Sequence, residues 1–299
     1  MHDFFPIRSF HLLSCVMVYL LGLPVQMGGQ ESGKAGARAR IKASMRFHAS
    51  FDRGMEAELA QGDPSIYTRT STQPEETVRR GLHTQGKTNW SAQGGVQGGA
   101  ALHFTDRDAA WIFYRGEQNV AYKKSDWEGT ISLWLRLDPE EDLAPGYADP
   151  LQLTTRAWND AAFFVDFNQD GNPRDFRLGA FADLQVWNPE NKDVAESERP
   201  LLPVKAPPFS RDAWTHVCFT WSDFNSGDRG AIARLYLNGK DQGQITGWDQ
   251  RFTWRPEEAM RLYLGLNYIG WLDEVSSFDR CLDATEIEWV FRNPGKLLP

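Results

Sequence analysis

The sequence predicts an all-β fold: a two-sheet antiparallel β-sandwich, or jelly roll, with one short C-terminal helix. Three observations carry this expectation. Short segments that alternate apolar and polar residues recur along the chain, which is the period of a strand half-buried in a sheet. The 26 Gly and 16 Pro punctuate these segments, and 12 Trp with 18 Phe favour pleated packing surfaces over long helices. Only one stretch has a helical period, so strands do not alternate with helices as a parallel α/β sheet requires.

Phe47, Ala49 and Phe51 alternate with His48 and Ser50, and Ala100, Leu102 and Phe104 alternate again after the glycine-rich residues 94–99. The series continues at 111–114, 130–137, 161–167, 175–181, 214–221, 231–237, 261–266 and 271–278, each bounded by Gly, Pro, Asn or Asp. Leu237-Asn238-Gly239-Lys240 supplies the Asn-Gly pair of a two-residue type I′ turn, whose two central residues need positive φ. Residues 283–292 read as the helix: Asp283 caps the first turn, Glu286 completes a capping box, and Ile287, Val290 and Phe291 form one apolar stripe. Asn293-Pro294-Gly295 stops it.

At 299 residues, the chain has room for one large sandwich behind a leader. Forty acidic against 32 basic residues give a net charge of −8, which repels a phosphate backbone and excludes nucleic acid as a partner. Arg8 followed by Phe10, Leu12, Leu13 and the apolar run 16–21 reads as a signal peptide over 1–28, with an uncleaved anchor as the alternative and the only route to a membrane. Cys15 lies before most of that run, which disfavours lipidation. Residues 29–45, with Lys34, Arg38, Arg40 and Lys42 among Gly and Ala, read as a flexible basic linker. The folded unit is expected at 46–294 and a tail at 295–299. The protein is accordingly expected to be exported, to the periplasm, the cell surface or the medium. There Cys218 and Cys281 form an even pair for which a disulfide is permitted. The other reading packs Cys218 as a small hydrophobe inside its strand, beside His216 on the same face.

Taken in order, Phe47-His-Ala-Ser-Phe51-Asp52, Gly99-Ala-Ala-Leu-His-Phe104, Gly129-Thr-Ile-Ser-Leu-Trp134-Leu, Trp214-Thr-His-Val-Cys-Phe-Thr-Trp221, Ala233-Arg-Leu-Tyr-Leu-Asn-Gly239, Leu264-Gly265-Leu and Gly270-Trp-Leu-Asp273-Glu-Val275 resemble the laminin-G-like jelly roll of the concanavalin A-like lectin/glucanase superfamily. The resemblance covers about residues 46–293. It implies two curved antiparallel sheets whose first and last strands meet, with ligands held on the concave face or on loops at one rim. It also implies core or near-core positions for Trp134, Trp214 and Trp271, and a structural calcium joining Asp52 to Asp273. The alternative for these two carboxylates is that each accepts backbone N–H bonds in a turn. Lectins, glycosidases and adhesion modules share this fold, so resemblance alone does not choose among them.

Retaining glycosidases of the fold resemble one another in a strand motif Glu-x-Asp-x-x-Glu, which brings two carboxyl groups about 5 to 5.5 Å apart. The sole Glu-x-Asp here, Glu140-Glu141-Asp142, meets Pro145 where the last acid belongs. The motif is absent, and a non-enzyme is expected. Glu286 and Glu288 point to different helix faces and read as solvated side chains. Asp166-Phe-Asn168-Gln-Asp170-Gly171 begins like a calcium loop, but its closing ligand would be Arg177, so a hairpin turn is favoured.

A sugar site needs an exposed aromatic platform beside groups that fix hydroxyls by hydrogen bonds. Arg156, Trp158, Asn159 and Asp160, with Trp187 and Asn188, have that composition at strand edges or loops. The competing reading is that both indoles close the ends of the sandwich and donate their N–H to a carbonyl. The expected function is an exported, non-catalytic module that recognises extracellular or cell-envelope carbohydrate. A protein-binding adhesion or assembly module is the alternative, and a glycoside hydrolase a distant third. No organic cofactor is expected; structural calcium is the one candidate ion.

Overall fold

Along Trp127–Arg136, Ile131, Leu133 and Leu135 point one way while Ser132 and Trp134 point the other, so one strand serves two environments. The same alternation runs through a computed structural model that describes residues 28–70, 77–255 and 259–298. The signal-peptide expectation lies outside the described residues apart from Gly28.

Two antiparallel sheets result. The first has nine strands, running Lys240–Ile245, Ile232–Leu237, Thr215–Phe224, Trp127–Arg136, Gly270–Phe278, Met45–Ala49 and Leu59–Ala60. Ala101–Phe104 joins it on the first half of Gly270–Phe278 and carries Thr88–Ser91 on its far side. The second has eight, running Leu201–Val204, Arg174–Phe181, Ala162–Gly171, Ala148–Thr154, Arg261–Leu266, Trp111–Arg115, Ile66–Arg69 and Val78–Arg80. First and last long strands pair, Ala49 opposite Val275. Leu133, Leu135, Phe219 and Leu235 of the nine-stranded sheet share one buried core with Leu151, Leu153, Val165, Leu178 and Leu262 of the other. At one end Trp127 packs edge to face on Trp221 at 5.1 Å and on Trp254 at 5.2 Å. Trp254, to which the sequence assigns no role, is buried in the core.

Local chemistry sets the connections. Asn238 and Gly239 both have positive φ and close the hairpin between Leu237 and Lys240. The calcium-like stretch is a hairpin too: Ala162–Gly171 turns back into Arg174–Phe181, with Gly171 opposite Arg174. The C-terminal helix is Ala284–Arg292, and its capping box is made by Asp283 and Glu286.

Three expectations need correction. Residues expected to form a flexible linker over 29–45 are instead the helix Gly28–Ser44 and the start of Met45–Ala49. The helix docks because Ala37 and Ile41, one turn apart, are buried, and Ile41 joins Met45, Cys218, Phe278, Ile287 and Val290 in an apolar cluster. Leu297 of the tail is buried in the same cluster. Glu286 is fully buried rather than solvated: it accepts from both Nη atoms of Arg280 and from Arg40 Nε at 3.1 Å, tying the two long helices together. The disulfide is absent, since Cys218 and Cys281 are free thiols. Cys218 packs as a small hydrophobe in that cluster, and burial pushes its thiol far above the ordinary range. Its strand neighbour His216 bonds Ser132 Oγ at 2.9 Å, the packing role its position suggested.

Candidate functional site

On the outer face of the eight-stranded sheet, the alternation that sends Phe163, Val165 and Phe167 into the core turns Phe164 and Asp166 outward. In the next strand Phe176 and Leu178 go inward and Arg177 outward. These side chains, with Asp149 and Gln152, floor a groove of about 450 Å³. One wall is Trp158, 46% exposed, its edge set against Phe181 at 5.5 Å and Phe164 at 6.4 Å. The facing wall is Trp111 against Tyr263 at 5.9 Å, with the Arg69 guanidinium 4.3 Å above the Trp111 ring.

The floor is electrostatically tense. Arg177 binds Asp166 through two N–H groups, Nε at 2.9 Å and Nη2, and reaches Glu196 at 3.1 Å, with Tyr147 over its guanidinium. Burial opposes the charge on Arg177, but its bonds to Asp166 and Glu196 overcome this and raise it. Asp149 lies on the neighbouring strand. Burial, reinforced by Asp166 and opposed by Arg177, holds its carboxyl well above the usual range. Burial also raises Asp166, against the pull of Arg177. A carboxyl group, an amide and a guanidinium–carboxylate pair between aromatic walls suit a ring with an apolar face and hydroxyl edges.

The six candidate residues divide. Arg156 and Trp158 line the groove. Arg156 is held by Asp160, by Asp183 at 3.2 Å and by the Thr253 carbonyl at 3.1 Å. Trp158 also borders a second cavity of about 220 Å³ with Asn159, Trp187 and Asn188. Trp187 is half-buried and donates its indole N–H to the Asn159 carbonyl at 2.8 Å, which is the end-closing role. Asn188 is buried and closes a turn onto Lys192, while Asp160 accepts from the Leu184 amide. Asp160 lines neither cavity. The sequence reading missed Arg69, Trp111, Asp149, Gln152, Arg177 and Tyr263. The available signal was a lone charged residue at every second position of an apolar strand, Asp166 between Val165 and Phe167 and Arg177 between Phe176 and Leu178.

Asp52 and Asp273 do approach one loop. Asp52 accepts from the Ala100 amide at 2.8 Å, and Asp273 accepts from Val96 and Glu274, both at 2.7 Å. Both carboxylates thus hold the turn 95–100. Among the described residues, no three His, Cys, Asp or Glu side chains are grouped to hold a metal ion. Burial lifts Asp273 to about 9 and Glu274 to about 8.

Two stacked antiparallel sheets with joined first and last strands define a jelly-roll β-sandwich protein. A laminin-G family model described as the concanavalin A-like lectin/glucanases superfamily matches residues 116–288, more than half of the chain, and the chain belongs to that superfamily. No curated protein matches the sequence. Solved structures with a similar fold include the binding domain of Paraclostridial Mosquitocidal Protein 1 (TM-score 0.52, 14% identity, covering 84% of this chain and 52% of that one). The botulinum neurotoxin serotype D binding domain gives a TM-score of 0.50 at 12% identity, with 86% and 52% coverage. Domain 4 of the extracellular arabinanase AbnA from Geobacillus stearothermophilus, solved with arabinotriose, gives 0.49 at 18% identity, with 82% and 98% coverage. The chain spans about half the length of the first two. At these identities the likeness is one of fold.

Proposed function

We propose that this chain is an exported, non-catalytic module that binds carbohydrate in the groove of the eight-stranded sheet. The carrying observation is the groove's composition: Trp158 faces Trp111 and Tyr263 across a floor of Asp149, Gln152 and the Asp166–Arg177 pair. Two of the similar folds are themselves binding domains of larger proteins, which fits this reading. Two features speak against hydrolysis. The Glu-x-Asp-x-x-Glu motif is missing, and the carboxylate nearest Asp149 is engaged by the two-pronged grip of Arg177, which blunts it as a nucleophile.

A glycan array probed with the wild type, Trp158→Ala and Trp111→Ala tests the proposal. Sugar hits that both variants lose are expected. No hit, or hits indifferent to both substitutions, would reject the groove and leave protein binding as the better account. Reducing ends released from a polysaccharide by the wild type and not by Asp149→Asn would replace binding with catalysis.

A further inference from the structure

The opposite sheet carries an arrangement that the groove does not use. Trp271 does not enter the core: it stands half-buried on the outer face of the nine-stranded sheet, beyond the part covered by the C-terminal helix. Cross-strand register places His103 opposite Trp271 on one side and Arg136 opposite it on the other. Trp214, just before the next strand, continues the row. The His103 and Trp271 rings are nearly parallel, 6° apart, with centroids at 3.9 Å. The Arg136 Cζ lies 4.9 Å from the Trp271 ring and 5.0 Å from the Trp214 ring.

Contact with both indoles restrains the plane of the guanidinium, whose donors radiate from its edge. Among the described residues no carboxylate forms an ion pair with Arg136, and the nearby Asp142 is already taken by Arg211 at 2.6 and 3.0 Å. The row opens on a cavity of about 480 Å³ lined by His103, Thr105, Arg136, Asp142, Arg211 and Trp271, with Gly270 and Ile269. Arg136 is thus the unneutralised charge of this cavity, whose other arginine and its one acid pair with each other. A preset planar donor fork, an imidazole and a hydroxyl around a ring-sized space, beside the internally neutralised Arg211–Asp142 pair, are what a sugar bearing an oxyanion requires.

We propose that the Trp214–Arg136–Trp271–His103 row is a second ligand site, on the opposite sheet from the groove, that takes the carboxylate or sulfate of an acidic saccharide. Calorimetric titration of the full chain tests this with glucuronate and with 6-sulfo-N-acetylglucosamine, with glucose and inorganic sulfate as controls. Arg136→Gln is expected to weaken binding of the acidic sugars about 10- to 100-fold, the loss of a charge-assisted pair. Arg136→Lys keeps the charge without the planar fork and is expected to lose roughly tenfold. The Arg136 series is run in the Trp158→Ala background, where the same losses are expected, so that they belong to this site whether or not the groove binds sugar. Which acidic sugar binds tells carboxylate from sulfate. The proposal is overturned if neither acidic sugar binds, if both Arg136 variants bind like the wild type, or if glucose or bare sulfate binds as tightly.

Discussion

Replacing Gly179 by alanine puts a methyl carbon 2.2 Å from Phe164 Cζ, with two further ring carbons at 2.5 and 2.6 Å. Carbon atoms ordinarily rest about 3.5 to 4.0 Å apart, so the ring must move by more than about 1 Å. It has little room, being stacked on Phe181 at 5.5 Å and met edge-on by Trp158. Overpacking of this kind costs about 1 to 3 kcal/mol, while the alanine returns about 0.4 to 1 kcal/mol by restricting the unfolded chain. A contact as short as 2.2 Å falls in the upper part of that range, so a net loss of about 1 to 2 kcal/mol follows, which for a domain of this size lowers Tm by about 2 to 8 °C. Urea unfolding followed by circular dichroism reads it directly, as a lower midpoint at unchanged slope. The displaced Phe164 also tilts the Trp158 wall, so any sugar found on the array should bind Gly179→Ala more weakly than wild type. A midpoint equal to or above wild type would refute the packing of the groove floor described above.

Asp166→Asn leaves Arg177 buried with only Glu196 as a charged partner, and a loss of about 3 kcal/mol is expected in the same unfolding assay. Stability should also fall as pH rises from about 6.5 to 9. Glu274 and Asp273 stay protonated in the native state to about 8 and 9, whereas the unfolded chain releases both protons near pH 4. The loss approaches about 1.4 kcal/mol per pH unit for each group. His48 and His216, held down to about 4 and about 3 by burial, act in the opposite sense but only below about 6.5, so they do not mask it. Melting curves at pH 8 with chelator and with added calcium should coincide; a rise in Tm with calcium would assign Asp52 and Asp273 to a cation. Finally, the full chain unfolded without reductant should titrate three thiols, Cys15, Cys218 and Cys281. In the native state Cys218 should be inert to the thiol reagent.

The strands, the Asn238-Gly239 hairpin and the Asp283 capping box were legible because their signals lie within a few residues. Trp158 was legible as an exposed indole at a strand edge. The helix Gly28–Ser44 was not, because among its residues of described burial the apolar ones facing inward are just Ala37 and Ile41, set among basic residues. The groove escaped for another reason. Arg69, Trp111, Asp149, Asp166 and Tyr263 come from five strands and meet only through sheet register, which no spacing along the chain encodes. Trp271 shows how much hangs on parity: one position along, Leu272 is core, while Trp271 itself faces outward and pairs with Arg136 and His103.

The docking of Gly28–Ser44 sets Ile41 among Cys218, Phe278, Ile287 and Val290, on the sheet opposite the groove. Trimming the chain back to Met45 would therefore uncover that apolar cluster while the groove, on the far side of the sandwich, keeps every residue that lines it.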